Sequence, residues 1–272
     1  MNIIQAIVLG IVQGLTGLFP VSSSAHLILF QNLMGLKESV VFFDICVHAG
    51  TLFAVIYFFR KDIRDMAVSV FDAANLLLRK DTKLYQTMEH PEAKLLILII
   101  IGSIPTAIIG LLFHKIADHL FSSVFLVGFT LIATGIALWT TRRLKDSGND
   151  IENFTARQAL IIGIVQGLAV IPGISRSGST ISTGLFLGLS RETAGRYSFL
   201  LSIPSIFGAT FLGLINLPGG VSIDMPTIVG TTTAGIVGYF ALRLLFYIIR
   251  KGNLHWFAPY CWFIGAIALM AG

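Results

Sequence analysis

Apolar residues run along this 272-residue chain in eight blocks, set apart by short charged segments. Six blocks, at about 41–59, 94–113, 121–141, 196–216, 226–249 and 254–271, are unbroken, and each comes close to the roughly 20 apolar residues that a helix needs to span a bilayer. The other two, at about 2–36 and 157–190, are broken midway by glycine, proline and serine. A straight helix is not expected through either break, because proline removes a hydrogen bond and clashes with the preceding turn. Two half-helices that enter and leave from one side fit the pattern, since non-helical backbone is tolerated at membrane depth where protein buries it or water reaches it. Residues 62–79 follow a different rhythm: Ile63, Met66, Val70 and Phe71 recur at helical spacing between Arg64, Asp65, Asp72 and Arg79. That pattern predicts an amphipathic helix, either on the cytoplasmic membrane surface or packed between spans.

The two broken blocks are copies of one element. Gly-Ile-Val-Gln-Gly-Leu occurs at Gly10–Leu15 and again at Gly163–Leu168, and each copy is followed by a proline and a serine cluster. The first continues Pro20-Val21-Ser22-Ser23-Ser24-Ala25-His26, the second Pro172-Gly173-Ile174-Ser175-Arg176-Ser177-Gly178-Ser179. The expected fold class is an all-α polytopic membrane protein with an inverted repeat. It would be a single membrane domain over residues 1–272 with halves of about 1–145 and 150–272, each one re-entrant helical hairpin plus three transmembrane helices.

Composition and charge agree with this class. Only 12% of the residues are charged and the mean hydropathy is +0.83, whereas a soluble domain is about 25% charged. A net charge of +5 would suit a nucleic-acid partner in a soluble protein; here the placement of the charges explains it, and no nucleic-acid partner is expected. With both repeats re-entrant, every lysine and arginine except Lys37, Lys115 and Arg176 falls on one side or at its margin. The positive-inside rule makes that side cytoplasmic and puts both termini outside. Each half then crosses an odd number of times, so the first hairpin dips in from outside and the second from the cytoplasm. The first basic residue is Lys37, so the N-terminal block lacks the positive start of a signal peptide and is expected to be retained. Cys46 and Cys261 lie in apolar blocks and read as packing residues.

Arg176 carries the strongest chemical signal. An arginine inside an apolar region is costly and marks a functional site by default; its guanidinium can hold a phosphate or carboxylate by two parallel hydrogen bonds. Ser175, Ser177, Gly173 and Gly178 around it supply hydroxyls and close backbone approach. The alternative is a structural arginine at a helix C-terminus. Ser23 and His26 share a face if residues 22–30 are helical, which allows a serine nucleophile with its base or a histidine that attacks phosphorus itself. Ser22 and Ser24 are further donors or helix caps. Asp44 and His48 stand four apart in one span, Asp44 near its outer end. Gln13 and Gln166, the polar residues of the two hexapeptides, could bond each other or a ligand. His90, His114, His119 and His255 fall in or beside loops and are given no role.

These residues form a recognisable pattern. Gln13-Gly14-Leu15-Thr16 followed by Pro20 to His26 resembles the first signature of the undecaprenyl-pyrophosphate phosphatase family, the bacitracin-resistance proteins, and Pro172 to Ile181 resembles the second. Phe43-Asp44, His48-Ala49-Gly50-Thr51 and Ser198 to Pro204 also look like family segments, so the resemblance covers nearly the whole chain. It implies hydrolysis of undecaprenyl pyrophosphate to the monophosphate carrier lipid of cell-wall synthesis, in the bacterial cytoplasmic (inner) membrane. The site would open to the periplasmic side and use a divalent cation, magnesium or calcium; the family also admits a homodimer. By this resemblance Arg176 binds pyrophosphate, Ser23 or His26 attacks, and Gln13, Thr16, Ser22, Ser24, His48, Ser175, Ser177 and Gly178 contact the substrate. One position departs from the pattern: the family carries a glutamate where this chain has Gly17. Asp44 is then the candidate metal carboxylate, and hydrolysis is expected to be slow or absent until Gly17→Glu restores the acid. A polyprenyl-phosphate lipid transporter or an impaired homologue is the alternative reading.

Overall fold

The computed structural model describes residues 1–36, 41–78, 90–114, 123–146, 148–217 and 223–271. Lys37, Arg79, Lys80, Lys83, Lys115 and His119, which entered the charge and histidine arguments, lie outside the described residues. The described chain is helical: α1 (Ile3–Thr16), α2 (Ser23–Leu33), α3 (Val41–Phe58), α4 (Arg60–Leu78), α5 (Pro91–His114), α6 (Val124–Thr140), α7 (Ala156–Leu168), α8 (Arg176–Phe186), α9 (Arg191–Ile215), α10 (Met225–Arg250) and α11 (Ala258–Ala271). Five of these, α3, α5, α6, α9 and α10, are long and apolar enough to cross a membrane. The protein is a multi-pass membrane protein of the all-α class. Phe53, Phe129, Phe207, Phe240 and Phe263, one on each of α3, α6, α9, α10 and α11, are all more than 60% exposed. So much outward-facing aromatic surface requires lipid rather than water around it.

The sixth expected span, 254–271, is shorter than the other five. Gly252 adopts φ 76° and ends α10, with the Gly252 and Asn253 amides donating back to the carbonyls of Ile249 and Ile248. Leu254–Phe257 then form a 3-10 turn, and α11 contributes 14 residues. The span expected at 196–216 instead starts earlier, at Arg191, because the Ser190 hydroxyl caps it by accepting from the Thr193 amide at 3.2 Å.

Each broken block folds as helix, bend, helix. The longest of these four helices, α1, has 14 residues, which at about 1.5 Å per residue reaches only about 21 Å, short of the ~30 Å hydrocarbon core. Their shortness follows from the breaks at Pro20 and Pro172. Each bears a Gly-x-x-x-Gly pair, Gly10/Gly14 on α1 and Gly163/Gly167 on α7, that lets another helix approach closely. A Cβ at Gly10 would stand 2.5 Å from the Gly230 carbonyl oxygen of α10, and one at Gly14 2.8 Å from Val237 Cβ. A Cβ at Gly163 would overlap the Gly102 backbone of α5, and one at Gly167 would stand 2.8 Å from Ile109 Cβ. The packing is reciprocal: the hairpin helix of each half docks on a span of the other half.

On α4, Met66 is buried and Ile63 packs on the core, whereas Val70 and Phe71 are exposed. Asp62 of α4 pairs with Arg196 of α9 and anchors the amphipathic helix to the bundle. The main core runs through Phe59, Leu98, Phe154, Tyr197, Phe199 and Phe246. There the buried Tyr197 hydroxyl donates to the Leu98 carbonyl at 2.8 Å, so its one polar group is satisfied.

Candidate functional site

The bends of the two repeats meet. The second bend, between α7 and α8, is held by threonines of α6: Thr130 donates to the Pro172 carbonyl at 2.6 Å and Thr134 to that of Gly173 at 3.2 Å. Thr134 also accepts from the Ser175 amide at 3.2 Å. The first bend, between α1 and α2, is held by α11, where Cys261 donates to the Pro20 carbonyl at 3.5 Å and Tyr260 meets His26. Ser177 Oγ donates across to the Leu18 carbonyl at 3.2 Å, and a Cβ at Gly178 would stand 3.1 Å from Pro20 Cβ. One site is thus assembled from both copies.

Between the bends lies a cavity of about 460 Å³, within the range of small-molecule sites. The first repeat lines it with Gln13, Thr16, Gly17, Ser22, Ser23 and Ser24, and the second with Gln166, Ser175, Arg176 and Ser177. Asp44, His48 and Thr51 of α3 and Thr106 of α5 complete the polar wall, while α9 adds Ser205, Ile206 and Ala209. Most of the sequence-derived site residues are therefore gathered in one place. Two are not: Gly178 packs against Pro20, and His26 stands behind the serine turn rather than on the cavity wall.

Arg176 is the first residue of α8, whose cap is Ser175; the Ser175 hydroxyl accepts from the Gly178 amide at 3.1 Å. Among the described residues, the ion pairs are Arg196–Asp62 and Arg250–Glu192. The Arg176 guanidinium makes no ion pair or hydrogen bond to any of them, so it is not a structural arginine closing a helix C-terminus. An unpaired guanidinium on a cavity wall can receive an anion through parallel hydrogen bonds.

Asp44 is the acidic side chain on that wall. One carboxylate oxygen accepts from Gln31 Nε2 at 2.7 Å; the other has no partner among the described residues. His48 Nδ1 lies 2.7 Å from the Asp44 carbonyl, which fixes the ring on the cavity wall. The two hexapeptide glutamines do not bond each other. Gln13 Nε2 donates to Thr51 at 3.3 Å, and Gln166 Nε2 to Thr106 at 3.4 Å and to the Leu201 carbonyl at 3.2 Å. Both Oε1 atoms are buried without a partner among the described residues, an arrangement that is costly unless a ligand, ion or water supplies one. At Gly17 the backbone is ordinary helix-like, and a Cβ would stand 2.7 Å from Gln13 Nε2. The glutamine amide occupies the space of a side chain at 17.

Sequence reasoning missed Thr51, Thr106, Thr130, Thr134 and Tyr260. It also missed the turn at Ser22, whose φ of 65° is the one positive value at a non-glycine residue among the described residues. A serine run after proline carries no signal for such a conformation.

The family model described as bacitracin resistance protein BacA matches residues 6–267 of this chain. The chain is 48% identical over 278 residues to the undecaprenyl-diphosphatase of Desulfosudis oleivorans, covering 100% of this chain and 99% of that protein. It is 49% identical over 274 residues to the undecaprenyl-diphosphatase of Desulforapulum autotrophicum, again covering 100% and 99%. Identity to the undecaprenyl-diphosphatase of the more distant Korarchaeum cryptofilum is 42% over 269 residues, 99% of each protein.

Proposed function

The chain belongs to the bacitracin resistance protein family, and we propose that the cavity between its two bends is where undecaprenyl pyrophosphate is cut. The protein is a hydrolase that converts undecaprenyl pyrophosphate to undecaprenyl phosphate and inorganic phosphate. The observation that carries the assignment to this cavity is the unpaired Arg176 guanidinium among serine hydroxyls from both repeats. A diphosphate offers what that wall can bind: anionic oxygens for two parallel guanidinium bonds and acceptors for Ser22, Ser24 and Ser175. The relatives' names favour hydrolysis over transport of a polyprenyl phosphate.

In the reaction, a nucleophilic oxygen forms a bond to the terminal phosphorus while the bond to the bridging oxygen breaks. The bridging oxygen leaves on the lipid monophosphate. Ser23 is the supported nucleophile, because it lines the cavity while both His26 nitrogens are occupied elsewhere. Its proton has a receiver in the cavity, Asp44, and water then releases the phosphoryl group as inorganic phosphate. Arg176 and the hydroxyls stabilise the charge that grows on the equatorial and leaving oxygens, the largest contribution a protein makes to such a transfer.

The donor set fits a divalent cation. Among the described residues no three His, Cys, Asp or Glu side chains cluster as a metal site. The Asp44 carboxylate and the orphaned Oε1 atoms of Gln13 and Gln166 are nevertheless hard oxygen donors on residues that line the cavity. Magnesium or calcium takes such ligands together with substrate phosphates. When bound, the cation would neutralise diphosphate charge.

Reciprocal docking of the hairpins on opposite halves supports the inverted repeat. Positive-inside placement supports external termini in the bacterial inner membrane. With that orientation, Asp44 and His48 in the first half of α3 and Ser205 to Thr210 in the second half of α9 support a cavity that opens to the outer side. The deciding experiment is phosphate release from undecaprenyl pyrophosphate in detergent, for the chain as it stands and for Arg176→Ala. Loss on substitution is expected; equal release by both would remove the cavity from the reaction.

A further inference from the structure

We propose that Tyr260 is a positioning residue for this hydrolysis, acting through His26 on the turn at Ser22; the inference rests on the hydrolytic reading of the cavity. His26 Nδ1 lies 2.8 Å from the Ser22 carbonyl oxygen, which can only accept, so Nδ1 carries the ring proton. The neutral ring then has its lone pair at Nε2, 2.7 Å from the Tyr260 hydroxyl, which must donate. The two rings stack with centroids 5.6 Å apart and planes within 10°. The Ser22 carbonyl therefore fixes the tautomer of His26, and Tyr260 holds the plane of its ring.

What His26 holds is unusual. Ser22 sits at φ 65°, a conformation a side chain adopts only under constraint. Its hydroxyl makes no helix-cap bond to α2 and instead lies 3.3 Å from Ser24 Oγ. The clamp on its carbonyl is the His26 ring. Ser22, Ser23 and Ser24 all reach the cavity from this turn, so release of the clamp would let the turn relax and move the attacking hydroxyl. With both ring nitrogens engaged and the ring off the cavity wall, His26 acts by holding the turn and not by touching phosphorus.

The test separates holding from chemistry. His26→Asn sets an amide N–H near the place of Nδ1 and can keep the bond to Ser22, whereas His26→Gln sets it near Nε2 and cannot. His26→Asn is expected to stay within about tenfold of the unaltered kcat and at least about tenfold above His26→Gln, and Tyr260→Phe to lower kcat by about tenfold or more with KM held within about twofold. Nitrogen-15 histidine spectra in detergent should contain one ring locked as the Nδ1–H tautomer, absent in His26→Asn and with its Nε2 resonance displaced in Tyr260→Phe, where the bond accepted by Nε2 is lost. Thermal midpoints identify any variant that fails to fold, and Tyr260→Phe, which keeps the ring stack, then decides alone. His26→Asn as inactive as His26→Gln, or Tyr260→Phe at the unaltered kcat, overturns the proposal. Absence of phosphate release from the unaltered protein would instead refute the hydrolytic reading, and is distinguishable because the Nε2 resonance would still respond to Tyr260→Phe.

Discussion

Ser177 of the second repeat donates its hydroxyl to the carbonyl oxygen of Leu18 in the first, across 3.2 Å of buried space. In the alignment of the two repeats Ser177 matches Ser24 and Leu18 matches Ile171, so the pair is not a self-equivalent contact and the bond cross-links the bends. Ser177→Ala leaves the buried Leu18 acceptor without this donor, at a cost of about 1–3 kcal/mol. The expected result is a lower thermal midpoint in detergent together with slower phosphate release. An unchanged midpoint would mean the bends are joined by packing alone.

Arg176 has no protein partner to lose among the described residues. Its removal should therefore leave the fold intact and fall on ligand binding. Arg176→Ala is expected to weaken binding of a non-hydrolysable pyrophosphate lipid by about 2–5 kcal/mol, the range for truncating one side of a buried charge pair. Arg176→Lys keeps the charge but not the paired bonds and should recover only part of the loss. Titration calorimetry in detergent checks both. Full recovery by lysine would show that charge suffices and geometry does not.

Gly17 stands under the folded amide of Gln13. Gly17→Glu must push that amide off Thr51, since the new Cβ would come within 2.7 Å of Nε2 and 2.6 Å of the Gln13 carbonyl oxygen. The substitution adds a carboxylate to the cavity and frees the Gln13 nitrogen at once. Magnesium-dependent turnover is expected to be slow in the chain as it stands and to rise by about a hundredfold or more in Gly17→Glu, the scale of one acid–base group. Equally fast turnover by both proteins would mean that Asp44 and the amide oxygens already suffice.

Asp44 supplies the acid on the cavity wall and has one oxygen free of partners among the described residues. Asp44→Asn keeps the shape and removes the charge. Affinity for manganese, read by electron paramagnetic resonance in the presence of a bisphosphonate, should fall by about 10- to 100-fold. Manganese affinity indifferent to Asp44→Asn would exclude the carboxylate from any cation site.

The breaks at Pro20 and Pro172 were legible in the sequence because proline acts locally, on its own turn. Arg176 was legible because its cost in an apolar block does not depend on its neighbours. The placement of His26 was not: helical spacing says that Ser23 and His26 share a side, not that α11 offers Tyr260 to take the ring away from the cavity. The threonines were hidden for a related reason. A threonine in an apolar helix bonds its own preceding turn wherever it stands, as Thr106 does to the Gly102 carbonyl. Only the fold reveals that Thr106 also reaches the carbonyl of Gly163 and accepts from Gln166. The hexapeptide drew attention to its glutamines, yet its glycines do as much, by bringing each hairpin against the opposite half.

That role of the glycines can be tested within a single helix pair. A methyl at Gly163 would meet the Gly102 backbone of α5, which has no flexible end to swing aside, whereas a methyl at Gly110, further along α5, meets nothing within 4 Å. Gly163→Ala is therefore expected to destabilise the protein by about 1–3 kcal/mol through forced separation of α7 from α5. Gly110→Ala should be neutral, or stabilising by up to about 1 kcal/mol, because alanine is the better helix former. The two changes have the same chemistry and the same size, so helix propensity cannot produce opposite signs. Because α7 carries Gln166 and leads into the bend before Arg176, Gly163→Ala should also slow phosphate release, while Gly110→Ala should not. Denaturation midpoints in one detergent, measured beside the phosphate assay, give both answers; a Gly163→Ala protein as stable and active as Gly110→Ala would break the link between hairpin docking and the site.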